Sequence, residues 1–301
     1  MKNYNLQDFP VNGFVSLGSI IDKKLCAQIT KSVFASRKFD ETLFRSEEEF
    51  DSDSKRTGCN PRMGGHNLAE KYDLDFIEEN PVFVDAMIQI LGEEYDILLK
   101  KFVMGTPESI MPEWLLERTK NEMSNNLGPY IKPEFRDITY FHGIDWHQDI
   151  IDHPASVSDF ITVYVYLADT NDNTSPLFVV PRSHILGASQ FPHNIQKIGD
   201  DQIRYANDLG ETDTFKFYKL LGESGSINFW HSSTLHGTQP HMDSVPRVSL
   251  RYLIKRKTTL LELTNREAHG FHSLRNTRND IDSEGRPVKW GNKINTVENG
   301  Q

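Results

Sequence analysis

The segment Phe160-Ile161-Thr162-Val163-Tyr164-Val165-Tyr166-Leu167 decides the fold class. It is rich in β-branched and aromatic residues and alternates between an aliphatic face and a face of one threonine and two tyrosines. Such a run is typical of a β-strand. Both faces are apolar enough to be covered by other elements, so the alternation leaves open which face lines a pocket.

Similar short runs continue from about Ile138 onward, separated by turn residues. They are Leu177–Val180, Ser226–Phe229 and Val248–Ile254. Repeated short strands without amphipathic helices between them predict a mainly β sandwich or jelly roll.

The N-terminal part of the chain predicts helices that flank this β core. One strand over Gly13–Leu17 precedes a helix that we expect to start at Ser19, with Asp22 completing the cap. Leu25, Ile29 and Val33 give that helix an apolar stripe.

A second helix and a further strand follow. Asn80 is a suitable N-cap, Pro81 suits the first helical position and Gly92 suits the end of the helix. The stretch Tyr95–Met104 then reads as a strand.

No internal repeat or linker divides the sequence, so we expect residues 1–301 to form a single domain. Its parts are a helix-rich region over about 1–135, a β core over about 136–260 and a polar tail over about 280–301. The polar stretch Asp40–His66, with its acidic run Glu47–Asp53, predicts an irregular, solvated loop.

Composition excludes several classes of protein. The chain carries 33 Lys and Arg against 43 Asp and Glu, a net charge of −10, which disfavours general nucleic-acid binding. The apolar run Val163–Leu167 is far too short to span a membrane. Two cysteines and no apolar leader predict a reducing, cytoplasmic location.

A candidate metal site begins at Trp146-His147-Gln148-Asp149. Alternate residues of an extended strand share a face, so His147 and Asp149 can point to one spot. His236 is the candidate third ligand among five downstream histidines, the others being His184, His193, His231 and His241. Two imidazoles and one carboxylate form the facial triad that suits Fe(II) and leaves positions open for a co-substrate and for oxygen.

An arginine lies at a suitable distance after the last histidine. Arg247 follows His236 by eleven residues and begins Arg247-x-Ser249, which places a hydroxyl on the same strand face. A guanidinium binds a carboxylate with two parallel hydrogen bonds. His241 with Arg251 offers a competing ten-residue spacing, but only the first register combines Arg-x-Ser with His236-Gly-Thr238.

The order of these motifs resembles the phytanoyl-CoA dioxygenase family of Fe(II)/2-oxoglutarate oxygenases. The resemblance rests on Trp-His-Gln-Asp, the segment Pro176–His184, His236-Gly-Thr238 and Arg247-x-Ser249, and it spans roughly Gly13 to Arg256. It implies a double-stranded β-helix core, also called a jelly-roll or cupin-like core.

The resemblance also implies the roles of individual residues. His147, Asp149 and His236 resemble the iron ligands, and Arg247 resembles the arginine that binds the far carboxylate of 2-oxoglutarate. Thr238 stands where the family often has a hydroxyl that contacts this co-substrate, and Ser249 offers a second hydroxyl.

The expected cofactors are therefore Fe(II), 2-oxoglutarate and O2. The expected reaction is oxidation of an unactivated C–H bond in a small-molecule substrate, with formation of succinate and CO2. Hydroxylation is the default, and desaturation or oxidative cyclisation uses the same triad. The alternative is a metal-binding β-barrel that is not an oxygenase, such as an isomerase or a silent binding protein. The sequence indicates neither the substrate nor the oligomeric state.

Two sets of residues stay open as substrate contacts. His142 and His153 flank the ligand strand, and Arg62, Arg251 and Arg256 are candidate anion-binding side chains. The chain also departs from the family pattern, with Thr174-Ser175 where Asn-Gly is frequent and with His241 after Pro240.

Overall fold

The computed structural model describes residues 5–53, 67–120, 124–152 and 160–257. The expected polar tail, Cys59, Arg62 and His153 lie outside these ranges.

The described strands are thirteen in number. They are β1 (Phe14–Ser19), β2 (Tyr95–Gly105), β3 (Ser124–Asn126), β4 (Thr139–His147), β5 (Phe160–Tyr166), β6 (Leu177–Val179), β7 (Asn194–Gly199), β8 (Gln202–Ala206), β9 (Thr212–Lys216), β10 (Tyr218–Leu220), β11 (Ser226–His231), β12 (His236–Thr238) and β13 (Arg247–Arg256).

Helices concentrate in the N-terminal part. The α-helices are α1 (Phe9–Asn12), α2 (Lys23–Ala35), α3 (Glu47–Ser52), α4 (Asp75–Glu78), α5 (Pro81–Leu91) and α6 (Glu113–Thr119). Short 3-10 turns cover Leu6–Asp8, Glu41–Leu43, Leu68–Lys71, Glu108–Ile110, Gly128–Tyr130, Pro133–Phe135, Asp149–Asp152 and Ser183–Leu186.

One curled sheet forms the core, in the order β1-β11-β5-β13-β2-β4-β12-β6-β10, with β3 paired to β4. Neighbours are antiparallel except β2 and β4, which pair in parallel over three residues each. This parallel step joins two antiparallel halves that face each other. The arrangement confirms the expected mainly β, double-stranded β-helix class with flanking helices.

The two faces of β5 have different surroundings, which settles the question that its alternation left open. Ile161, Val163 and Val165 pack in the large cluster that also holds buried side chains of α2 and α5. Tyr164 and Tyr166 belong to a second cluster, with members from both halves of the sheet. The tyrosine face therefore looks into the barrel.

A separate sheet of β7, β8 and β9 covers the outside of the second half. Ile195, Ile203 and Phe215 of this sheet form a third cluster with Trp146 of β4 and Phe178 of β6. The strand that carries the predicted metal ligands is thus packed on both of its faces.

The first long helix differs from expectation at its start. Ser19 is the last residue of β1, and Asp22 is the N-cap of α2, where its Oδ1 accepts hydrogen bonds from the backbone N–H of Lys24 and Leu25. The buried residues of α2 are Cys26 and Val33, whereas Leu25 is exposed. The cap is shifted, while Val33 is buried and Ile29 packs against the core as the sequence predicts.

The acidic run Glu47–Asp53 is partly helical rather than a loop. Ser46 and Glu49 form a reciprocal capping box at the start of α3. Phe50 is buried, and its ring lies 4.7 Å from that of Tyr130. Phe50, together with the ion pairs of Arg118 with Glu47 and Asp51, therefore holds this acidic segment in place.

Helix α5 begins and ends where the sequence predicts. Asn80 Oδ1 accepts from the backbone N–H of Val82 at 3.0 Å and of Phe83 at 3.3 Å, and Gly92 ends the helix with φ of +92°.

Replacing Asn80 with alanine is expected to lower the free energy of unfolding by about 1 kcal/mol, because two N–H groups lose their acceptor. Urea denaturation measures this change. Asn80→Ser should retain most of the stability, and equal losses in both variants would contradict a capping role.

None of the helices in the described parts of the chain is both long and apolar enough to cross a membrane.

Candidate metal and co-substrate site

The predicted ligands come together where β4 pairs with β12. His147 is the last residue of β4 and pairs directly with His236, the first residue of β12. Asp149 lies in the 3-10 turn after β4, not on the extended strand that the sequence predicts. One ligand atom from each of the three residues lies within 4.8 Å of the others. The three residues form the one cluster of potential metal ligands found in the described ranges.

Backbone hydrogen bonds set the tautomer of both histidines. His147 Nδ1 lies 2.8 Å from the carbonyl oxygen of Asp145, and His236 Nδ1 lies 3.0 Å from that of Thr234. A carbonyl oxygen only accepts, so each Nδ1 carries the proton. The lone pair of each ring is then on Nε2, the atom that faces Asp149. This outer hydrogen bonding is typical of metal-binding histidines.

Three donors surround the Asp149 carboxylate. Its Oδ2 accepts from the Thr162 hydroxyl at 2.6 Å and from the Trp230 indole N–H at 2.9 Å. Its Oδ1 accepts from the Arg251 guanidinium. Burial alone raises the pKa of Asp149, but the positive charge of Arg251 leads the interactions that outweigh burial, and this pKa is held well below its usual value. The residue is therefore a carboxylate, as metal ligation requires.

The donor set fits Fe(II). Two neutral imidazole nitrogens and one carboxylate are the ligands of the facial triad. His236 Nε2 lies 3.5 Å from Asp149 Oδ2, and His147 Nε2 lies 4.0 Å from Oδ1, so all three groups point at a common volume.

Arg247 lies inside the barrel near the start of β13 and is only 3% exposed. Its Nε donates to the carbonyl oxygen of Thr174 at 2.5 Å and its Nη2 to that of Ser175 at 2.9 Å. Its Nη1 donates to Ser249 Oγ, and the guanidinium lies over the Tyr166 ring at 5.3 Å. The Thr174-Ser175 segment, where the chain departs from the family pattern, is therefore the backbone that aims Arg247.

This pattern leaves donors for a ligand. Arginine has five N–H groups, and three of them donate to the protein. One N–H on each Nη atom has no acceptor among the described residues. Two such groups on one planar guanidinium suit a carboxylate.

Thr238 and Ser249, the two predicted hydroxyl residues, each already accept a hydrogen bond from the protein. Thr238 Oγ1 accepts from the backbone N–H of Ile144 at 2.9 Å, and Ser249 Oγ accepts from Arg247. Each hydroxyl can still donate one hydrogen bond. Their contact with a co-substrate stays a prediction.

The competing histidine, His241, lies apart from the triad cluster. Its Nε2 donates to the carbonyl oxygen of Val245 at 2.8 Å, and its backbone N–H donates to that of His142. Burial lowers the pKa of His241 to about 4, so the ring is neutral near pH 7. His142 donates from Nδ1 to Thr106 and faces Glu108 at 3.2 Å.

His184 and His231 contact the scaffold outside the triad. His184 Nε2 donates to the carbonyl oxygen of Pro10 at 3.1 Å and fastens the turn after β6 to α1. Its ring lies 5.5 Å from that of His231, the last residue of β11, whose carbonyl oxygen accepts from the backbone N–H of Thr234 in the turn that follows.

His193 supports the ligand segment from behind. Its Nε2 accepts from the backbone N–H of Gln148, the residue between His147 and Asp149, at 3.2 Å. The fully buried Gln148 side chain donates to the carbonyl oxygens of Gly187 and Ser233. These contacts fix Gln148, the residue that links the two ligands.

Sequence reasoning missed two residues that contact Asp149. Thr162 and Trp230 pair directly across β5 and β11, so both face the barrel interior. The alternation of both strands was a usable signal, but it required knowing which face was internal.

Known proteins resemble the chain in sequence and in fold. The sequence profile of the family described as phytanoyl-CoA dioxygenase (PhyH) matches residues 9–249. The chain belongs to the phytanoyl-CoA dioxygenase (PhyH) family. This match covers the metal cluster, Arg247 and Ser249.

One curated relative is the probable alpha-ketoglutarate-dependent hypophosphite dioxygenase of Stutzerimonas stutzeri. It is 26% identical over 106 residues, which are 35% of this chain and 36% of the relative. The match thus spans about a third of the relative's length.

Solved structures with a similar fold include the non-heme alpha ketoglutarate dependent epimerase SnoN from nogalamycin biosynthesis. It is 12% identical, with coverage of 97% of each chain and a TM-score of 0.50. EvdO2 from Micromonospora carbonacea var. aurantiaca, complexed with 2-oxoglutarate, is also 12% identical, with coverage of 84% of this chain and 90% of that chain and a TM-score of 0.49. At this identity the likeness to SnoN concerns the fold alone.

Trp230 offers a test of how Asp149 is held. Trp230→Phe keeps the ring in place and removes the N–H that donates to Asp149. Loss of such an outer partner typically weakens metal binding about 10- to 100-fold, so we expect a decrease near the lower end of that range. Competition with a chelator measures the affinity. Trp114→Phe, which alters a ring packed on Phe50 and Tyr130, is the matched control. Unchanged metal affinity in Trp230→Phe would contradict this support.

Proposed function

We propose that the protein is a non-haem Fe(II)/2-oxoglutarate-dependent dioxygenase that oxidises a C–H bond of a small-molecule substrate and releases succinate and CO2. One observation carries the proposal. Two histidine Nε2 atoms with fixed lone pairs and an ionised carboxylate converge inside a barrel that also holds the buried Arg247. The proposal treats residues 1–301 as one oxygenase domain, to which β1 and β2 of the N-terminal region contribute strands.

His147, Asp149 and His236 would hold Fe(II). When bound, the iron supplies the redox chemistry with O2 that no amino-acid side chain provides. Thr162 and Trp230 orient Asp149, while the carbonyl oxygens of Asp145 and Thr234 orient the two imidazoles.

Arg247 would bind the far carboxylate of 2-oxoglutarate with the two N–H groups that remain on its Nη atoms. Ser249 and Thr238 would each donate one hydrogen bond to the same co-substrate. A non-oxygenase metal barrel has no need for a buried arginine at this place, so Arg247 favours the oxygenase over that alternative.

The buried aromatic side chains of the inner cluster would exclude water from the reacting groups. They include Phe141, Tyr164, Tyr166 and Trp230. Water exclusion strengthens the electrostatic interactions of the site and limits side reactions.

The presence of Asp149 bears on the type of reaction. Halogenation requires a position that a halide can take in place of the carboxylate, so Asp149 argues against it. Hydroxylation is the proposed default, and desaturation and oxidative cyclisation are compatible with the same residues. The 2-oxoglutarate dependence in the curated relative's name supports the co-substrate half of the proposal.

Succinate formation tests the proposal directly. Protein supplied with Fe(II), 2-oxoglutarate and air is expected to form succinate, slowly without substrate and faster across a panel of candidate substrates. Asp149→Ala is the negative control. Metal binding without 2-oxoglutarate binding or turnover would favour the non-oxygenase alternative.

A further inference from the structure

Arg251 is a second arginine on the inner face of the barrel. It lies four residues after Arg247 on β13, and its Nη2 donates to Oδ1 of Asp149. Its side chain is 17% exposed, so most of that side chain is removed from solvent. An arginine that contacts a metal ligand is positioned to reach a molecule bound beside the metal.

Tyr164 lies directly opposite Arg251 in the pairing of β5 with β13. Residues paired in this way project from the same face of a sheet. The Tyr164 ring stacks on Trp230 at 6.0 Å, and its hydroxyl is buried without a hydrogen-bond partner in the described structure. A buried hydroxyl is nearly always hydrogen-bonded, so this one indicates a ligand group.

The charges of the site indicate whether the ligand group beside Tyr164 is positive or negative. With the proposed cofactors bound, the charges of Fe(II) and Arg247 cancel those of Asp149 and the 2-oxoglutarate dianion. Arg251 then adds a positive charge that nothing in this set balances. Lys101, buried opposite Arg251 on β2, is a further cation and not a counter-ion. A partly buried guanidinium that shares its counter-ion with a metal ion is stabilised by a second anion.

Asp149 is the present partner of Arg251, and metal binding competes for it. A metal ion that takes electron density from the carboxylate weakens the Arg251–Asp149 ion pair. Arg251 then binds another anion more readily. By linkage, the metal and that anion strengthen each other's binding.

We propose that Arg251 and Tyr164 form a subsite for an oxyanion group of the substrate, such as a carboxylate, phosphonate or sulfonate, beside the metal. The inference rests on the proposed function and narrows it to anionic substrates. Arg251 supplies the charge and Tyr164 supplies a neutral donor, whereas Arg247 serves the co-substrate.

The test uses protein loaded with Ni(II), which does not support turnover, and saturating 2-oxoglutarate. Acetate, methylphosphonate and methanesulfonate are the probes, and acetamide is the neutral control; calorimetry measures each affinity. We expect at least one oxyanion to bind the loaded protein at least tenfold more tightly than acetamide and more tightly than it binds the metal-free protein.

Arg251→Gln should weaken that oxyanion about 10- to 150-fold, the range for loss of a charge-assisted hydrogen bond. The same variant should change the affinity for 2-oxoglutarate by less than about threefold, because Arg247 retains that role. A loss of 2-oxoglutarate binding with unchanged oxyanion binding would assign Arg251 to the co-substrate and overturn the inference.

Tyr164→Phe keeps the inference testable if Arg251→Gln fails to fold. It removes a buried oxygen that lacks a partner, so the free energy of unfolding should stay the same or rise, while oxyanion binding weakens several-fold. Unchanged oxyanion binding in a folded Tyr164→Phe would overturn the role of the hydroxyl.

A wrong proposed function and a wrong subsite give different experimental results. If the wild-type protein binds neither Ni(II) nor 2-oxoglutarate, the proposed function is wrong and the subsite falls with it. If the loaded protein forms but no oxyanion binds better than acetamide, only the subsite is wrong.

Discussion

Replacing Asp149 with alanine is expected to abolish iron-dependent turnover. The carboxylate is one of three proposed protein ligands, and it also collects the hydrogen bonds of Thr162, Trp230 and Arg251. Loss of an outer partner alone costs about 10- to 100-fold in metal affinity, so loss of the ligand should exceed about 100-fold. Chelator competition with Fe(II) under anaerobic conditions measures the affinity, and succinate release measures the turnover.

Controls separate a lost ligand from a lost fold. Asp149→Ala leaves Arg251 without its partner, so Asp149→Asn, which retains the shape and a hydrogen-bond acceptor, should be examined beside it. His236→Ala should reproduce the metal defect, and Asp200→Ala, in the exposed turn after β7, should not. Wild-type activity in both Asp149→Ala and His236→Ala at limiting iron would place the metal elsewhere.

Arg247→Ala is expected to weaken 2-oxoglutarate by at least tenfold. A hydrogen bond to a charged group contributes about 1.5–3 kcal/mol, which corresponds to about 10- to 150-fold in the dissociation constant. Thr174 and Ser175 hold the guanidinium in place before the ligand arrives, so little freedom is lost on binding. Anaerobic titration of 2-oxoglutarate into the Fe(II)-loaded protein measures the constant.

Arg251→Ala is the matched comparison on the same strand. It should change the 2-oxoglutarate constant much less, since Arg251 contacts the carboxylate of Asp149 instead of the Thr174-Ser175 segment. Arg247→Lys keeps the charge and loses the planar pair of N–H groups, and we expect an intermediate affinity. A large loss in Arg251→Ala with none in Arg247→Ala would reverse the assignment of the two arginines.

Much of the architecture was accessible from local pattern. The strands around Phe160–Tyr166 and Arg247–Arg256 alternate clearly, and Asn80, Pro81 and Gly92 mark both ends of α5. These signals depend on backbone propensities and on hydrogen bonds between near neighbours. Both can be predicted from a few consecutive residues. The sequence predicted the cap of α2 at Ser19 instead of Asp22, because serine is an equally good capping residue. In the structure Ser19 belongs to β1, where it pairs with β11.

The chemical nature of the candidate site could also be predicted from the residue types and their order. His147-x-Asp149, His236 and Arg247-x-Ser249 have donor types and an order that limit the possible chemistry to a few classes. The sequence could therefore name the residues that converge in the structure. It could not show their arrangement, because Asp149 leaves the strand for a turn and His147 meets His236 only through pairing of β4 with β12.

Sequence by itself determined the α5 helix, the identity of the candidate ligands and six strands, namely β1, β2, β5, β6, β11 and β13, since each depends on a few neighbouring residues. Tertiary structure alone decided which face of β5 lines the barrel, that Thr174 and Ser175 aim Arg247, and that Arg251 contacts Asp149. These contacts join residues as far apart as Asp149 and Arg251 in sequence. A curled sheet whose two halves face each other buries both faces of its strands, so alternation gives two apolar faces, and only the curling of the sheet makes one of them the inside.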